Sequence, residues 1–266
     1  MQWNDNAAQL ENELGETVKN VAEWIKSQNA SFQLDQVEKK GHNDLVSYVD
    51  LEAEKKLTRA LSQIFQAGFI TEEKTTETTE SEYTWVIDPL DGTTNFVHGL
   101  PLFTVSVALK KGNQYVLGAV AEPNLNELFT AHKGGGARLN GQPIKVSDVN
   151  LQADSLLATG FPYQDFGRLG SYLELLYALI NKTRGIRRLG SAALDLVYTA
   201  MGRFDGFYEY GLNEWDVAAG ALIVEEAGGK VSCWQDTDQF IQTKTILATN
   251  GHIHDDMIRS IRKVFG

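Results

Sequence analysis

The most informative stretch of this chain is Trp85-Val86-Ile87-Asp88-Pro89-Leu90-Asp91-Gly92-Thr93-Thr94-Asn95-Phe96. Its apolar start predicts a buried strand that ends at Asp88, because Pro89 cannot donate a backbone hydrogen bond to a sheet. Asp88 and Asp91 then lie on one turn, close enough for their charges to repel each other. Gly92 and Thr93 follow with backbone N–H groups and a hydroxyl that suit a phosphate oxygen. The stretch therefore predicts a metal-assisted phosphate site at the end of a strand.

Two other interpretations of this stretch compete with that prediction. Asp, Pro and Gly are common in turns, so the segment could be an ordinary turn after a strand. Phosphatases of the haloacid dehalogenase type also place an Asp after an apolar strand, in the pattern Asp-x-Asp-Gly-Thr. Here the two carboxylates are one residue further apart, in the pattern Asp-x-x-Asp-Gly-Thr. The longer spacing favours metal binding over a nucleophilic aspartate.

The composition is that of an acidic globular protein. The 266 residues carry a net charge of −11, and 42% of them are hydrophobic. That charge disfavours nucleic-acid binding, which needs a basic face, and every apolar run is too short to span a bilayer. The N-terminal residues have no signal-peptide features, and a single cysteine excludes an internal disulfide. We expect a cytoplasmic protein with no nucleic-acid partner and no membrane partner.

The histidines and the cysteine offer no metal motif. None of the five histidines forms a pair with the spacing of a zinc site on a helix. His252 and His254, near the last predicted helix, are expected to face solvent. Cys233 lies in a strand-like run after Gly228-Gly229, and we expect it to be a packing residue.

The hydrophobic pattern divides the chain into two halves. Helical spacing predicts an amphipathic helix near residues 7–27, and a second helix begins near Ser47, with Asp50 completing a capping box. Alternating apolar residues make 102–144 rich in strands. Further on, the pattern predicts strands at 155–159, 186–189, 204–208 and 246–249 and helices at 169–180, 192–201, 216–227 and 253–264. We expect one domain, 1–266, with sub-domains of about 1–148 and 149–266.

Two further acidic segments are candidates for the same site. Glu214-Trp215-Asp216 opens a predicted helix, where an acid in the first turn is also explained by the helix dipole. Glu72-Glu73 follows a short apolar pair, where an exposed loop charge is the competing explanation. The residues by themselves leave both alternatives open.

Together these segments resemble the inositol monophosphatase family over nearly the whole chain. The similarity is carried by Asp44-Leu45-Val46-Ser47-Tyr48-Val49-Asp50, Phe69-Ile70-Thr71-Glu72-Glu73, Asp88-Pro89-Leu90-Asp91-Gly92-Thr93-Thr94-Asn95-Phe96, Gly190-Ser191-Ala192-Ala193 and Trp215-Asp216-Val217-Ala218-Ala219-Gly220. The third and last segments are specific in combination, in this order and at this separation. The resemblance implies an α+β / α/β layered sandwich (α-β-α-β-α), with a mostly antiparallel N-terminal sheet followed by a smaller mixed sheet.

The resemblance also implies which residues do the chemistry. The metal ligands would be Glu72, Asp88, the backbone carbonyl of Leu90, Asp91 and Asp216. Glu72 and Thr93 would hold and polarise the attacking water, Asp50 would support Thr93, and Lys39 would lie in an outer shell near the metals. Phosphate would lie on the N–H groups of Gly92 and Thr93. The substrate contacts would be Asp91, Gly92, Thr93, Thr94, Ser191, Ala192 and Glu209.

The implied activity is Mg²⁺-dependent and lithium-sensitive, with two or three Mg²⁺ ions in each site of a homodimer. An all-oxygen ligand set suits Mg²⁺, and a pair of ions can clamp an in-line displacement. The chain departs from the family at Thr71, where Gly is common, and at Gly41-His42, which replaces a common Ser-Pro. Neither change removes a predicted metal ligand. Thr71 does, however, put in question the geometry of the loop that contains Glu72, and therefore the affinity for the more weakly bound metal ion.

The resulting hypothesis is a hydrolase that releases phosphate from inositol monophosphate by direct attack of a metal-activated water. Glu209 favours a small neutral alcohol because it accepts hydrogen bonds from hydroxyls, although a surface acid at a strand end is an alternative. Fructose 1,6-bisphosphate, histidinol phosphate and 3′-phosphoadenosine 5′-phosphate are alternative substrates for the same chemistry. The alternative from another class is a non-catalytic metal-binding regulatory protein. The intact set of ligands, together with Thr93, argues against it.

Overall fold

Two sheets, with helices between and around them, account for most of the described chain. The computed structural model describes residues 3–29, 37–39, 45–77, 81–162 and 166–265, with the backbone alone at 37–39 and 45–46. The helices are α1 (Ala7–Asn29), α2 (Tyr48–Ile64), α3 (Thr93–Val97), α4 (Leu169–Ile180), α5 (Ala192–Ala200), α6 (Glu214–Glu226), α7 (Phe240–Thr243) and α8 (His254–Phe265). The strands are β1 (Val37–Lys39), β2 (Leu45–Ser47), β3 (Gly68–Thr71), β4 (Tyr83–Asp91), β5 (Thr104–Lys111), β6 (Gln114–Glu122), β7 (Glu127–His132), β8 (Ala137–Leu139), β9 (Gln142–Pro143), β10 (Leu156–Thr159), β11 (Gly185–Arg187), β12 (Gly206–Tyr210), β13 (Lys230–Ser232) and β14 (Thr245–Thr249).

The first sheet is antiparallel except at one edge. Its strand order within the described residues is β3-β4-β5-β6-β7-β8-β9, and only the β3–β4 pair in it is parallel. The second sheet has the order β11-β10-β12-β14-β13, parallel on one side of β12 and antiparallel on the other. This arrangement of a mostly antiparallel sheet and a smaller mixed sheet confirms the predicted fold class.

The helices form three layers around these sheets. Helices α1 and α2 cover one face of the first sheet, where Leu14 and Leu57 share a buried cluster with Trp85. Helices α5 and α6 fill the space between the two sheets, and α4 and α8 cover the outer face of the second. The α-β-α-β-α order follows, because each sheet face buries an apolar helix stripe. No helix among the described residues combines the length and the apolar character needed to cross a membrane.

Strand β4 corrects one expectation about its end. The strand does not stop at Asp88 but continues to Asp91. Asp88 pairs with Ser106 and Asp91 with Thr104, so two residues of β4 face one residue of β5 between these pairs. This β-bulge accommodates Pro89, because a bulged residue need not donate a hydrogen bond to the ladder. The bulge brings both carboxylates to the same end of the strand.

Other expectations hold with shifted boundaries or fail locally. Ser47 caps α2 and forms the predicted capping box with Asp50, and Cys233 is buried as predicted. The strand expected at 204–208 runs from 206 to 210, and the one expected at 186–189 runs from 185 to 187. The prediction that His254 faces solvent is wrong, since its side chain is 1% exposed. Its two ring nitrogens lie 3.0 Å from Ser232 Oγ and 2.9 Å from Thr249 Oγ1, between the strands that α8 packs against.

Candidate active site

A cavity of about 500 Å³ opens where the end of β4 meets the N-termini of α3, α5 and α6. The predicted site residues that line it are Glu72, Asp88, Leu90, Asp91, Gly92, Thr93, Thr94, Ser191, Ala192, Glu209 and Asp216. Asp50 lies behind the cavity wall, in contact with Thr93. The Lys39 side chain and the Gly41-His42 segment lie outside the described residues. The structure thus brings together segments that are far apart in the sequence.

Glu72 and Asp88 meet because β3 runs parallel to β4. Thr71 pairs with Ile87, and the Glu72 backbone N–H continues the ladder by donating to Ile87 O at 3.2 Å. Asp88 is 1% exposed, and burial holds the pKa of its carboxyl well above the usual range. The neighbouring carboxylates Glu72, Asp91 and Asp216 raise that pKa further. Burial and repulsion both oppose the charged form, and a bound cation would favour it.

Asp91 is held at the beginning of α5. Its Oδ2 accepts hydrogen bonds from the Ser191 hydroxyl and the Ala193 backbone N–H, each at 2.7 Å. Burial raises the pKa of Asp91 to about 6, although these hydrogen bonds and the charge of Arg188 act against the rise. One carboxylate oxygen is therefore fixed by the protein. Ser191 also caps α5 by accepting from Leu194 N at 3.2 Å.

Thr93 links the cavity to α2. Its hydroxyl lies 3.0 Å from Asp50 Oδ1 and 3.0 Å from the Leu90 carbonyl oxygen. The other oxygen of Asp50 accepts from the backbone N–H and the hydroxyl of Ser47, at 2.8 and 2.7 Å. The capping box that begins α2 therefore also fixes the carboxylate that receives Thr93. The predicted support of Thr93 by Asp50 has a direct geometric basis.

Gly92 occupies a position that only glycine fits. It precedes α3 with φ of +95°, a left-handed conformation that side chains disfavour. A Cβ atom there would also lie 3.0 Å from the Leu102 carbonyl oxygen. The chain can turn sharply after Asp91 only at such a residue, and the turn brings Thr93 back toward Leu90.

Asp216 lies in the first turn of α6, where it caps the helix and also lines the cavity. Its Oδ2 accepts from the Asn213 backbone N–H at 2.6 Å in a capping box, as a first-turn acid does. It also lines the cavity and raises the pKa of Asp88 through its charge. Next to it, Glu214 anchors α6 to the first sheet through Lys110 Nζ at 3.0 Å.

The cavity also contains a second acidic pair that the sequence did not reveal in full. Glu209 lies on β12 and is 5% exposed, and burial raises the pKa of its carboxyl well above the usual range. Asp195 on α5, which was not predicted, also lines the cavity and is 1% exposed. Its Oδ1 has no hydrogen-bond partner among the described residues. The charge of Arg188 acts on both carboxyls.

Glu54 is a second residue that sequence reasoning missed. It lies one turn after Asp50 on α2 and is fully buried. Its carboxylate accepts hydrogen bonds from Thr71 Oγ1 at 3.0 Å, Glu73 N at 2.7 Å, and Thr75 N and Oγ1 at 2.6 and 2.7 Å. These bonds flank Glu72 on both sides. The only signal in the sequence was the i, i+4 spacing of Glu54 from Asp50 on one helix face.

The cavity fits a hard divalent cation. Among the described residues, no three His, Cys, Asp or Glu side chains are grouped closely enough to hold a metal ion as they stand. The predicted ligand set does not depend on such a group, because it includes the carbonyl of Leu90 and because Mg²⁺ usually retains several waters. Repulsion around the buried Asp88 is the electrostatic problem that such a cation solves. The donors present are oxygen atoms, which suit Mg²⁺.

The family follows from comparison with known proteins. The model of the inositol monophosphatase family matches residues 6–264. The chain belongs to this family. The inositol-1-monophosphatase of Mesorhizobium japonicum is 41% identical over 230 residues, which cover 86% of each chain. The Nus factor SuhB of Pseudomonas aeruginosa is 42% identical over 236 residues, 85% of this chain and 86% of that one.

Solved structures of inositol monophosphatase relatives share the fold. The extragenic suppressor protein SuhB of Bartonella henselae has a TM-score of 0.89 and 38% identity, over 95% of this chain and 98% of that one. The inositol monophosphatase of Anabaena has a TM-score of 0.86 and 37% identity, over 97% of both chains. The predictions of the family and of a phosphatase enzyme are thereby confirmed.

Proposed function

We propose that the protein hydrolyses inositol monophosphate to inositol and inorganic phosphate, with Mg²⁺ as its cofactor. The observation that carries this proposal is the Thr93 hydroxyl, hydrogen-bonded to the buried Asp50 on a cavity that also contains Glu72, Asp88 and Asp91. A metal site without catalysis has no use for a supported hydroxyl at its edge. The non-catalytic alternative, which the names of the Nus factor relatives raise, does not explain this arrangement.

Thr93 and Glu72 would orient the attacking water. The Thr93 hydroxyl has a single proton and two acceptor neighbours, Asp50 Oδ1 and Leu90 O, each at 3.0 Å. When the hydroxyl donates to Asp50, its lone pairs can accept a hydrogen bond from a water in the cavity. Glu72 would accept the other hydrogen of that water. The water oxygen attacks phosphorus and one water proton passes to Glu72, the bond from phosphorus to the ester oxygen breaks, and the ester oxygen takes a proton from solvent water. Glu72 then returns its proton to the solvent.

The predicted ligands of Mg²⁺ are Glu72, Asp88, the carbonyl of Leu90, Asp91 and Asp216, with two or three ions in each site. When bound, Mg²⁺ would supply Lewis-acid activation of water and would stabilise the charge that develops on the leaving oxygen. The chain contributes the fixed orientation of these oxygens. Asp91 is an example, because Ser191 and Ala193 hold one of its two oxygens at 2.7 Å.

The phosphate and the alcohol would bind to neighbouring groups of the cavity wall. Phosphate would lie on the N–H groups of Gly92 and Thr93, next to Thr94. The alcohol would contact Asp91, Ser191, the backbone of Ala192 and Glu209. The Glu209 carboxyl oxygens can accept hydrogen bonds from hydroxyls of the alcohol. This supports a substrate with several hydroxyls, such as inositol monophosphate.

We propose a homodimer, as the family resemblance implies. Leu173, Tyr177 and Ile180 expose apolar side chains at i, i+4 and i+7 on α4, which is compatible with burial against a second copy. Sedimentation equilibrium would then give twice the 29.5 kDa mass of one chain, and a monomer mass at all concentrations would contradict this proposal. Direct nucleic-acid binding is not proposed, because the net charge is −11.

The function is tested by phosphate release from a substrate panel. The panel contains inositol 1-phosphate, fructose 1,6-bisphosphate, histidinol phosphate and 3′-phosphoadenosine 5′-phosphate, with Mg²⁺ and with Mg²⁺ plus Li⁺. We expect Mg²⁺-dependent, Li⁺-inhibited release, fastest from inositol 1-phosphate. A folded Asp91→Asn variant controls for contaminating phosphatase, because it lacks one ligand charge. Faster release from another substrate would replace inositol monophosphate as the proposed substrate and leave the proposed reaction unchanged. No phosphate release from any substrate in the panel would favour the regulatory alternative.

A further inference from the structure

Glu209 has a close neighbour whose identity matters for its position. Strand β10 ends at Thr159, which pairs with Tyr208 of the parallel strand β12. The next residues on each strand, Gly160 and Glu209, both line the cavity. A Cβ atom on Gly160 would overlap Cδ and both Oε atoms of Glu209, well inside the 3.0 Å that real Cβ contacts keep. The carboxylate therefore occupies the space that a side chain at position 160 would take.

The backbone gives no other reason for glycine at position 160. Gly160 does not have the positive φ that makes glycine necessary at Gly92. A β-strand end with ordinary φ accepts alanine without strain. The three atoms nearest to a Cβ at position 160 would all belong to the Glu209 carboxylate.

The strands around Gly160 cannot move easily to admit a side chain. The Gly160 carbonyl accepts from the Tyr172 hydroxyl at 3.0 Å, and Thr159 Oγ1 donates to Tyr208 O at 2.8 Å. Tyr172 is itself fully buried among aromatic rings of the second sheet's outer layer. A Cβ at position 160 would therefore displace the free end of Glu209 and leave the strands in place.

We propose that Gly160 is a positioning residue that sets where the Glu209 carboxylate meets the alcohol part of the substrate. This inference rests on the proposed function. Glu209 then binds substrates whose alcohol carries uncharged hydroxyls, such as polyol monophosphates. Gly160 acts on specificity through Glu209 and touches no reacting atom.

The test compares Gly160→Ala with variants that isolate the carboxylate. Initial rates are measured for inositol 1-phosphate and for phenyl phosphate, whose alcohol part has no hydroxyl for Glu209 to bind. We expect Gly160→Ala to raise KM for inositol 1-phosphate about 10-fold, the effect of losing one hydrogen bond. For phenyl phosphate, kcat/KM should stay within about twofold. The matched control is Gly170→Ala on α4, where a Cβ would meet nothing within 4 Å.

A double-mutant cycle separates positioning from a general structural effect. In the Glu209→Ala background the overlap is gone, so adding Gly160→Ala should leave KM for inositol 1-phosphate unchanged. A crystal structure of Gly160→Ala should show an intact sheet with the Glu209 carboxylate displaced. An unmoved carboxylate, an unchanged KM, or equal losses on both substrates would overturn the inference while an active wild type upheld the function. A wild type without activity on either substrate would overturn the function and the inference together.

Discussion

Thr93 combines a proposed catalytic role with contacts that join two elements. Its hydroxyl is 3.0 Å from a carboxylate on α2 and 3.0 Å from the carbonyl of Leu90, a predicted metal ligand. A single proton cannot serve both acceptors, so the hydroxyl orients toward one of them and presents lone pairs to the cavity. Asp50 is the stronger acceptor because it is a carboxylate. This asymmetry gives Thr93 a defined direction for a water.

Removal of the Thr93 hydroxyl should lower kcat and leave metal binding intact. We expect Thr93→Ala to reduce kcat by about 10²–10⁴-fold, the range for a lost proton-transfer partner. The Mg²⁺ concentration for half-maximal activity should change little, because the predicted ligand at Leu90 is a backbone carbonyl. Thr93→Ser, which keeps the hydroxyl, is the matched control and should retain most of the activity. An unchanged kcat in a folded Thr93→Ala variant would reject the proposed role in orienting water.

At the residue scale, the sequence indicates the candidate catalytic and metal-binding residues better than it indicates the residues that position them. Asp88, Asp91 and Thr93 could be proposed because they lie within one short segment whose residue types predict a phosphate site. Gly160 and Glu54 could not, because their importance lies in contacts with residues 49 and 17–21 positions away. A glycine or a glutamate without its neighbours has many equivalent explanations. Only the folded contacts distinguish them.

At the scale of elements, α2 aligns two walls of the cavity. Asp50 and Glu54 lie one helical turn apart, so both project from one face. Asp50 supports Thr93, and Glu54 binds the Thr71–Thr75 segment that contains Glu72. Thr71, where the family commonly has Gly, adds its hydroxyl to this arrangement at 3.0 Å. The departure that put the loop geometry in question therefore gives the loop an additional attachment.

Glu54→Gln should weaken metal binding without touching a predicted ligand. An amide accepts fewer and weaker hydrogen bonds than a carboxylate, and its NH₂ group faces donors from the loop. We expect the Mg²⁺ concentration for half-maximal activity to rise about 10-fold, in line with one lost charge-assisted hydrogen bond. Calorimetric titration with Mg²⁺ in the absence of substrate should show the same shift.

The control for Glu54 lies on the opposite face of the same helix. Glu52 is exposed and pairs with Lys55 at 2.7 Å, so Glu52→Gln removes the same charge from α2 without touching the loop. It should bind Mg²⁺ as the wild type does. Equal Mg²⁺ affinity in the Glu54→Gln and Glu52→Gln variants would show that the Glu54 carboxylate does not position Glu72.

Most of the longer elements were predictable in kind and order but not at their ends, and short elements such as β3 and α7 were not predicted. Periodicity marks a strand while its apolar residues alternate or run together, and it is silent on register. The bulge at Pro89 depends on how β4 pairs with β5, and β5 is separated from it in the sequence. Strand β12 was expected two residues early, which left Glu209 outside the strand. Pairing partners, which local sequence does not reveal, determine such boundaries.

At the scale of the whole molecule, layering decides which polar residues become buried. The α-β-α-β-α order could be predicted because alternation and helical periodicity change along the chain. The burial of His254 could not, because it depends on α8 closing over β13 and β14. The imidazole is enclosed with Ser232 and Thr249, and the charges of Lys230, Asp236 and Asp255 act on it. Burial first, and then Lys230, lower the pKa of His254 to about 4.

This burial predicts that the stability of the fold falls in weak acid. The unfolded His254 binds a proton below its ordinary pKa of about 6.5, whereas the folded residue stays neutral down to about 4. Between these values the unfolded state holds more protons, so the free energy of unfolding decreases as pH falls, and below about 4 this contribution is constant. From pH 7 to pH 5, His254 should account for a loss of about 2 kcal/mol in the free energy of unfolding.

In urea unfolding, His254→Gln should lack this part of the pH dependence. His252→Gln, at an exposed position two residues away, should retain it. If all three proteins lost the same free energy between pH 7 and pH 5, the imidazole would not be held neutral by the packing of α8 on the second sheet.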